Sequence, residues 1–197
     1  MLSTDAIDVI INRRSIRAFD PKAVEREILE GICRAALYSC NGCGQQRARM
    51  LLVTNGAVLD SLREIVADRF HRMSIARCPS RERTIRKAQA NQSFDFTYGA
   101  PALAVAVAPA DWLHSMADCA CMLQNLQNAA WYHGLGACWV NQLRWLCEDG
   151  DEDFLPLLHR IGMQADEAVF GSVSIGYFTG PAPKPAPRRE GRLVFID

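Results

Sequence analysis

From Ala117 to His133 the chain reads Ala-Asp-Cys-Ala-Cys-Met-Leu-Gln-Asn-Leu-Gln-Asn-Ala-Ala-Trp-Tyr-His, a helical stretch that is apolar on nearly every side of a 3.6-residue period. A helix of that kind is stable only when other elements surround it, so the rest of the chain must form layers around a central rod. Gly134 and Gly136 are expected to end it, because glycine tolerates the left-handed geometry of a helix stop.

The flanking sequence alternates between the two regular periodicities. Ala6 to Asn12 has the spacing of a short helix, with Ser3 or Thr4 as its cap. Glu25 to Leu37 places Ile28, Leu29, Ile32, Cys33 and Ala36 on one helical face, and Ala57 to Phe70 reads as a helix after Asn55-Gly56. Met50 to Thr54, Ala102 to Ala108, Ala137 to Val140 and Val169 to Ile175 read as strands, and Asp151 to Ile161 as a short helix. The basic, poorly periodic stretch Arg72 to Asn91 is expected to form a cover or lid. Pro181 to Pro187 holds four prolines in seven residues and should be an extended arm, within a C-terminal segment 181–197. One α+β sandwich domain spanning residues 1–197 follows, with helices alternating with strands around the apolar helix.

Twenty-two basic and 22 acidic residues cancel, which gives no electrostatic case for nucleic acid or a membrane surface as the partner. No apolar run approaches the roughly 20 residues of a spanning helix. The first residues lack a basic region followed by an apolar one, so a cytoplasmic protein is expected. The eight cysteines read mostly as small reduced core fillers. Cys40-Asn41-Gly42-Cys43 is the exception, since this spacing suits a redox pair or half of a zinc site, although no second such motif supplies the remaining ligands.

The strongest candidate site is Arg-Arg-Ser-Ile-Arg, with Arg13, Arg14, Ser15 and Arg17 at the end of the first helix. Three guanidiniums and a hydroxyl can hold a phosphate by charge-assisted, bidentate hydrogen bonds. The bland alternative is a solvated basic turn.

Continued by Phe19, Asp20 and Pro21, this motif resembles the amino-terminal motif of the nitroreductase family of flavin enzymes. Asp118 to Gln142, with Gln124-Asn125-Leu126 and then Gly134-Leu135-Gly136-Ala137-Cys138-Trp139-Val140, resembles the family's central helix and the turn after it. Ser174-Ile175-Gly176-Tyr177-Phe178 resembles its last core strand.

The resemblance implies a sandwich with a central mixed sheet, and two intertwined chains with flavins at the dimer interface. It implies that Arg13 and Ser15 bind the phosphate of FMN with help from Arg14, and that Arg17 reaches the pyrimidine edge of the flavin ring. Arg188 or Arg189, with Lys184 as a weaker candidate, would reach the phosphate from the tail, and the backbone of Val140, Asn141 and Gln142 would donate toward the reactive flavin nitrogen. Trp139 and Cys138 read as packing. Family members commonly show a serine, an asparagine and a glutamine followed by Pro-Trp, where this chain has Asn41-Gly42-Cys43-Gly44-Gln45-Gln46 followed by Arg47-Ala48-Arg49. Asn41 and Gln46 are the residues expected to face the flavin from that loop. The implied activity is hydride transfer from NADH or NADPH, through FMN, to a nitroaromatic, quinone or related small acceptor. The rival readings are a flavin-binding protein without turnover and a thiol-based redox or metal-binding module using Cys40 and Cys43.

Overall fold

The computed structural model describes residues 5–196. In chain order the elements are α1 (Ala6–Asn12), α2 (Arg26–Leu37), β1 (Arg49–Val53), α3 (Gly56–Arg72), α4 (Glu82–Gln89), β2 (Ala102–Pro109), α5 (Ser115–Tyr132), β3 (Gly136–Val140), α6 (Gln142–Glu148), α7 (Leu155–Arg160) and β4 (Glu167–Gly176). The four strands form one sheet in the order β1-β2-β4-β3, and every neighbouring pair is antiparallel. The expected mixed sheet is therefore antiparallel across these strands; among the described residues the parallel pairing is a single bridge from Ser15, which is in no strand, to Ala137 of β3.

Strand β2 shows why the long helix can lie against the sheet. Its alternation puts Ala102, Ala104, Ala106 and Ala108 on one face and Leu103, Val105 and Val107 on the other, all buried. The alanine face leaves room for α5 to approach closely, and Cys119, Met122, Leu123 and Leu126 of α5 join Leu29 and Ile32 of α2 in the core there. The opposite face packs Leu62, Val66 and Phe70 of α3, Leu143 of α6 and Phe154 around Leu103, Val105 and Val107. An ion pair crosses over β2 at one end. Arg49 of β1 meets Glu167 of β4 through two nitrogen–oxygen contacts of 2.7 and 2.8 Å, although β1 and β4 are not neighbours.

Several expectations change. The proposed caps Ser3 and Thr4 lie outside the described residues, and the Asp5 carboxylate caps α1 by accepting from Ile7 and Asp8 N–H groups. The stretch from Arg72 to Asn91 contains α4, whose Ile85 and Ala88 are fully buried in the core, so it covers the α3 face as a packed helix. Helix α6, which the sequence analysis did not anticipate, follows β3 after one residue. Helix α5 is not enclosed on every side: Ala117, Gln124 and Tyr132 are exposed, and Cys121, Asn125 and Asn128 are half-buried beside them. Gly134, at φ 75°, does end α5, with Leu135 N–H reaching back to the Ala130 carbonyl at 2.9 Å. Gly136 has another purpose, since it is the first residue of β3 and lies under Ile16. Residues 181–196 form no helix or strand and are exposed apart from half-buried Ala182.

Candidate anion-binding and redox site

The site begins where α1 stops. Arg13 closes the helix by donating its N–H to Val9 carbonyl at 3.0 Å, and its backbone then turns extended. Arg14 folds back on that end, its guanidinium donating to the carbonyls of Ile11 (2.8 Å) and Arg13. A cation is well placed there against the negative end of the helix. The Arg14 side chain is thus occupied by backbone, which leaves the main-chain part of the help that the resemblance implies.

Ser15 lies along the free edge of β3. It forms the parallel bridge to Ala137, and the next residue donates its N–H to Ala137 carbonyl at 3.0 Å. Ile16 then buries its side chain with Val9 and Trp131. Arg17 reaches the α3–α4–α6 side of the sheet, where it shares a cleft with Lys87 and Gln142. Burial pushes the Cys138 thiol up, and the charges of Arg17, Arg13 and Lys87 oppose it.

The Arg13 guanidinium carries the clearest signal. Its Nε and Nη1 are buried and have no hydrogen-bond partner. Burial, and after it repulsion from Arg14, depress its pKa; Arg188 adds a further repulsion, which places the tail cation near it. Buried donors without acceptors are costly, and a bound anion is the group that would satisfy both at once. Arg189 and Lys184 lie on the exposed tail.

Arg17 lies 5.9 Å above the centre of the Tyr98 ring, and the Lys87 ammonium 4.6 Å from the same ring. These groups line a cleft of about 360 Å³ with Arg83, Phe94 and Gln142. Arg83 and Lys87 are four residues apart on α4, opposite buried Ile85 and Ala88. The segment is visibly basic in sequence, but only two apolar positions mark the helix, so nothing local shows that its cations face a cleft.

Val140, Asn141 and Gln142 form the junction between β3 and α6. The Asn141 carboxamide oxygen accepts the Trp139 indole N–H at 2.7 Å, which holds the turn. The first turn of α6 leaves its leading N–H groups without intrahelical acceptors. The Gln142 carboxamide oxygen is buried and unpartnered, as is the hydroxyl of Ser174, the cross-strand neighbour of Cys138. Val140, Gln142, Arg13, Ser15 and Arg17 are therefore brought to one region by β3.

Asn41 and Gln46 are elsewhere. The Asn41 side-chain oxygen accepts the Gln46 N–H at 3.0 Å, and Gly42 N–H donates to Asp118 Oδ1 at 2.8 Å, so the loop is docked on the start of α5. It lines a cavity of about 140 Å³ with Leu37, Ser39 and Met122, which shares no residue with the Arg17 cleft. Within one chain the two expected halves of the site are separate. Cys40 and Cys43 are exposed free thiols, and among the described residues no three His, Cys, Asp or Glu side chains group as a metal site.

The sequence profile of the nitroreductase family matches residues 10–177. The chain belongs to the nitroreductase family. Its fold agrees with that of solved members. A nitroreductase with bound FMN from Bacteroides fragilis NCTC 9343 is 25% identical with a TM-score of 0.87, covering 99% of this chain and 100% of that one. A nitroreductase with bound FMN from Desulfitobacterium hafniense DCB-2 shares 20% identity and a TM-score of 0.84, covering 99% and 100%. The likeness extends to a BluB-like flavoprotein from Clostridium difficile 630, at 15% identity and a TM-score of 0.74 over 99% and 100% of the chains. No curated protein matches the chain. Among the described residues no helix is long and apolar enough to cross a membrane.

Proposed function

We propose that this nitroreductase-family chain is an FMN-dependent oxidoreductase, which takes electrons from NADH or NADPH and passes them to a small nitroaromatic, quinone or related acceptor. The observation that carries the reading is the half-buried Arg13 guanidinium, whose buried Nε and Nη1 have no partner, beside Ser15 and in reach of Arg188. Its donors suit a phosphate better than any neutral ligand, and the solved relatives from Bacteroides fragilis and Desulfitobacterium hafniense hold FMN.

In this reading Arg13 and Ser15 hold the phosphate, with Arg188 closing over it from the tail, while Arg14 fixes the end of α1. Bound FMN would supply the hydride-transfer chemistry. Arg17 provides a fixed positive charge at the ring end of the cleft, where it stabilises negative charge without reorganising. The leading N–H groups of α6 and the side chain of Gln142 offer polar contacts at the β3–α6 turn. Phe94 and Tyr98 wall the cleft and exclude water, and α4 covers it.

Asn41 and Gln46 complete the site from a second copy of the chain. The separation of the two halves within one chain supports this arrangement, as does the exposed stripe of α5. The tail residues Leu193, Val194, Phe195 and Ile196 are 73 to 95% exposed, an apolar segment suited to docking on a partner. The test is a titration of the apoprotein with FMN and with riboflavin, which lacks the phosphate. Much tighter binding of FMN is expected; equal affinities would remove the basis of the reading.

A further inference from the structure

Helix α4 carries three cations, and they divide by face. Arg86 is paired with Glu82, one turn earlier, at 2.7 Å. Arg83 and Lys87 instead line the cleft with Arg17, and no carboxylate is among the residues lining it. Among the described residues neither Arg83 nor Lys87 has an ion-pair partner. Three positive charges around one space repel one another, and a bound anion would relieve them.

The same cleft is built to take a flat ring. Tyr98 holds φ at 59°, a left-handed backbone that a residue other than glycine adopts rarely. The Asp95 carboxylate fixes it there by accepting the N–H groups of Thr97 and Gly99, on either side, at 2.7 and 2.6 Å. Arg63 holds Asp95 in turn at 3.4 Å. The Tyr98 ring is thereby set beside Lys87 and Arg17, and buried Phe94 adds a second aromatic wall. Buried Gln142 leaves its carboxamide oxygen unpartnered at the inner end, whereas Arg83 and Lys87 are exposed and so stand at the mouth.

We propose that this cleft binds a small aromatic acceptor that carries its own anionic group, a carboxylate or sulfonate, and that Arg83 and Lys87 are the residues that select it. The assignment rests on the proposed function, in which Arg17 serves the flavin ring and the α4 pair is left for the acceptor. The acceptor's ring lies against Tyr98 and Phe94, and its acid group meets Arg83 and Lys87 at the mouth through charge-assisted hydrogen bonds. A neutral ring of the same shape leaves both cations without a partner. Helix α4 belongs to none of the surfaces that a second copy covers in the proposed assembly, which are the loop carrying Asn41 and Gln46, the exposed stripe of α5 and the tail.

The test is calorimetric titration of the full-length protein, after incubation with FMN and removal of the excess, with 4-nitrobenzoate and with its neutral counterpart 4-nitrobenzamide, no nicotinamide being present. The acid should bind about 10-fold more tightly than the amide, and raising the ionic strength should shrink that ratio. The ratio should fall close to one in the double variant Arg83→Gln, Lys87→Gln, and should persist in Arg86→Gln, which removes a charge of the same helix outside the cleft. Equal affinities in the wild type, or a ratio that survives the double substitution, would overturn the proposal. So would a double variant that no longer takes up FMN, since the pair would then serve the flavin, or one that loses affinity only for NADPH, since it would then serve the donor's phosphate. Because the titration reads binding and not turnover, a protein that prefers the acid but reduces neither compound would defeat the proposed function and leave this assignment standing.

Discussion

The side chain of Ile16 covers Gly136 so closely that a Cβ at position 136 would lie 2.8 Å from both the Cβ and the Cγ2 of Ile16. The contact presses the segment carrying Arg13, Ser15 and Arg17 onto the edge of β3. Because Ile16 Cβ is fixed to its backbone, Gly136→Ala must move that segment. We expect a loss of about 1 to 3 kcal/mol in urea unfolding and FMN affinity weakened at least ~10-fold, with stability partly restored by adding Ile16→Ala. Unchanged FMN affinity in the single variant would contradict the placement of the anion site.

Arg13→Met separates stability from binding. It removes a half-buried cation two of whose nitrogens are buried without acceptors, so the apoprotein should unfold at equal or higher denaturant, with a gain of up to about 1 kcal/mol. FMN should bind about 100-fold more weakly, the scale of losing charge-assisted hydrogen bonds, while riboflavin affinity stays the same. Equal losses for both ligands would mean that Arg13 serves the fold and not the phosphate.

Much of this architecture is legible in the chain because its periodicities are strong. The alanine alternation of β2 and the long α5 fall close to their expected limits, and the Arg13 to Arg17 motif marks the anion site. What escaped depends on tertiary placement. Arg14 looks equivalent to Arg13 until α1 ends and one guanidinium folds back on the helix carbonyls. Helix α4 shows only Ile85 and Ala88 as an apolar face, too few to stand out from a basic loop. Gly136 reads as a helix stop until Ile16 is seen above it.

Acid should weaken the clamp across β2. Burial raises the Glu167 pKa, but the Arg49 fork and the Gln164 N–H outweigh it and hold the carboxyl below its ordinary 4.5. A carboxyl depressed in the folded state stabilises fully above its unfolded pKa, and that stability is lost as pH falls through the folded value. Stability should therefore be flat in this contribution at neutral pH and decline below about pH 4.5. Glu167→Gln should cost about 2 kcal/mol at pH 7 and give a shallower acid decline; urea unfolding from pH 3 to 7 measures both.

Replacing Leu193, Val194, Phe195 and Ile196 with serine tests the second copy. Wild-type protein should sediment at twice its 21.9 kDa chain mass, and the variant should dissociate at higher concentration and lose FMN affinity in parallel. A monomeric wild type that binds FMN tightly would refute the completion of the site by a partner's Asn41 and Gln46.

The most direct test of the central claim is the visible spectrum of the purified, FMN-loaded protein under anaerobic conditions as NADPH and then NADH are added. Oxidised-flavin bands should bleach with one or both donors and recover when a quinone or nitroaromatic is supplied. A protein that takes up no FMN, or whose bands persist with both donors, would contradict it.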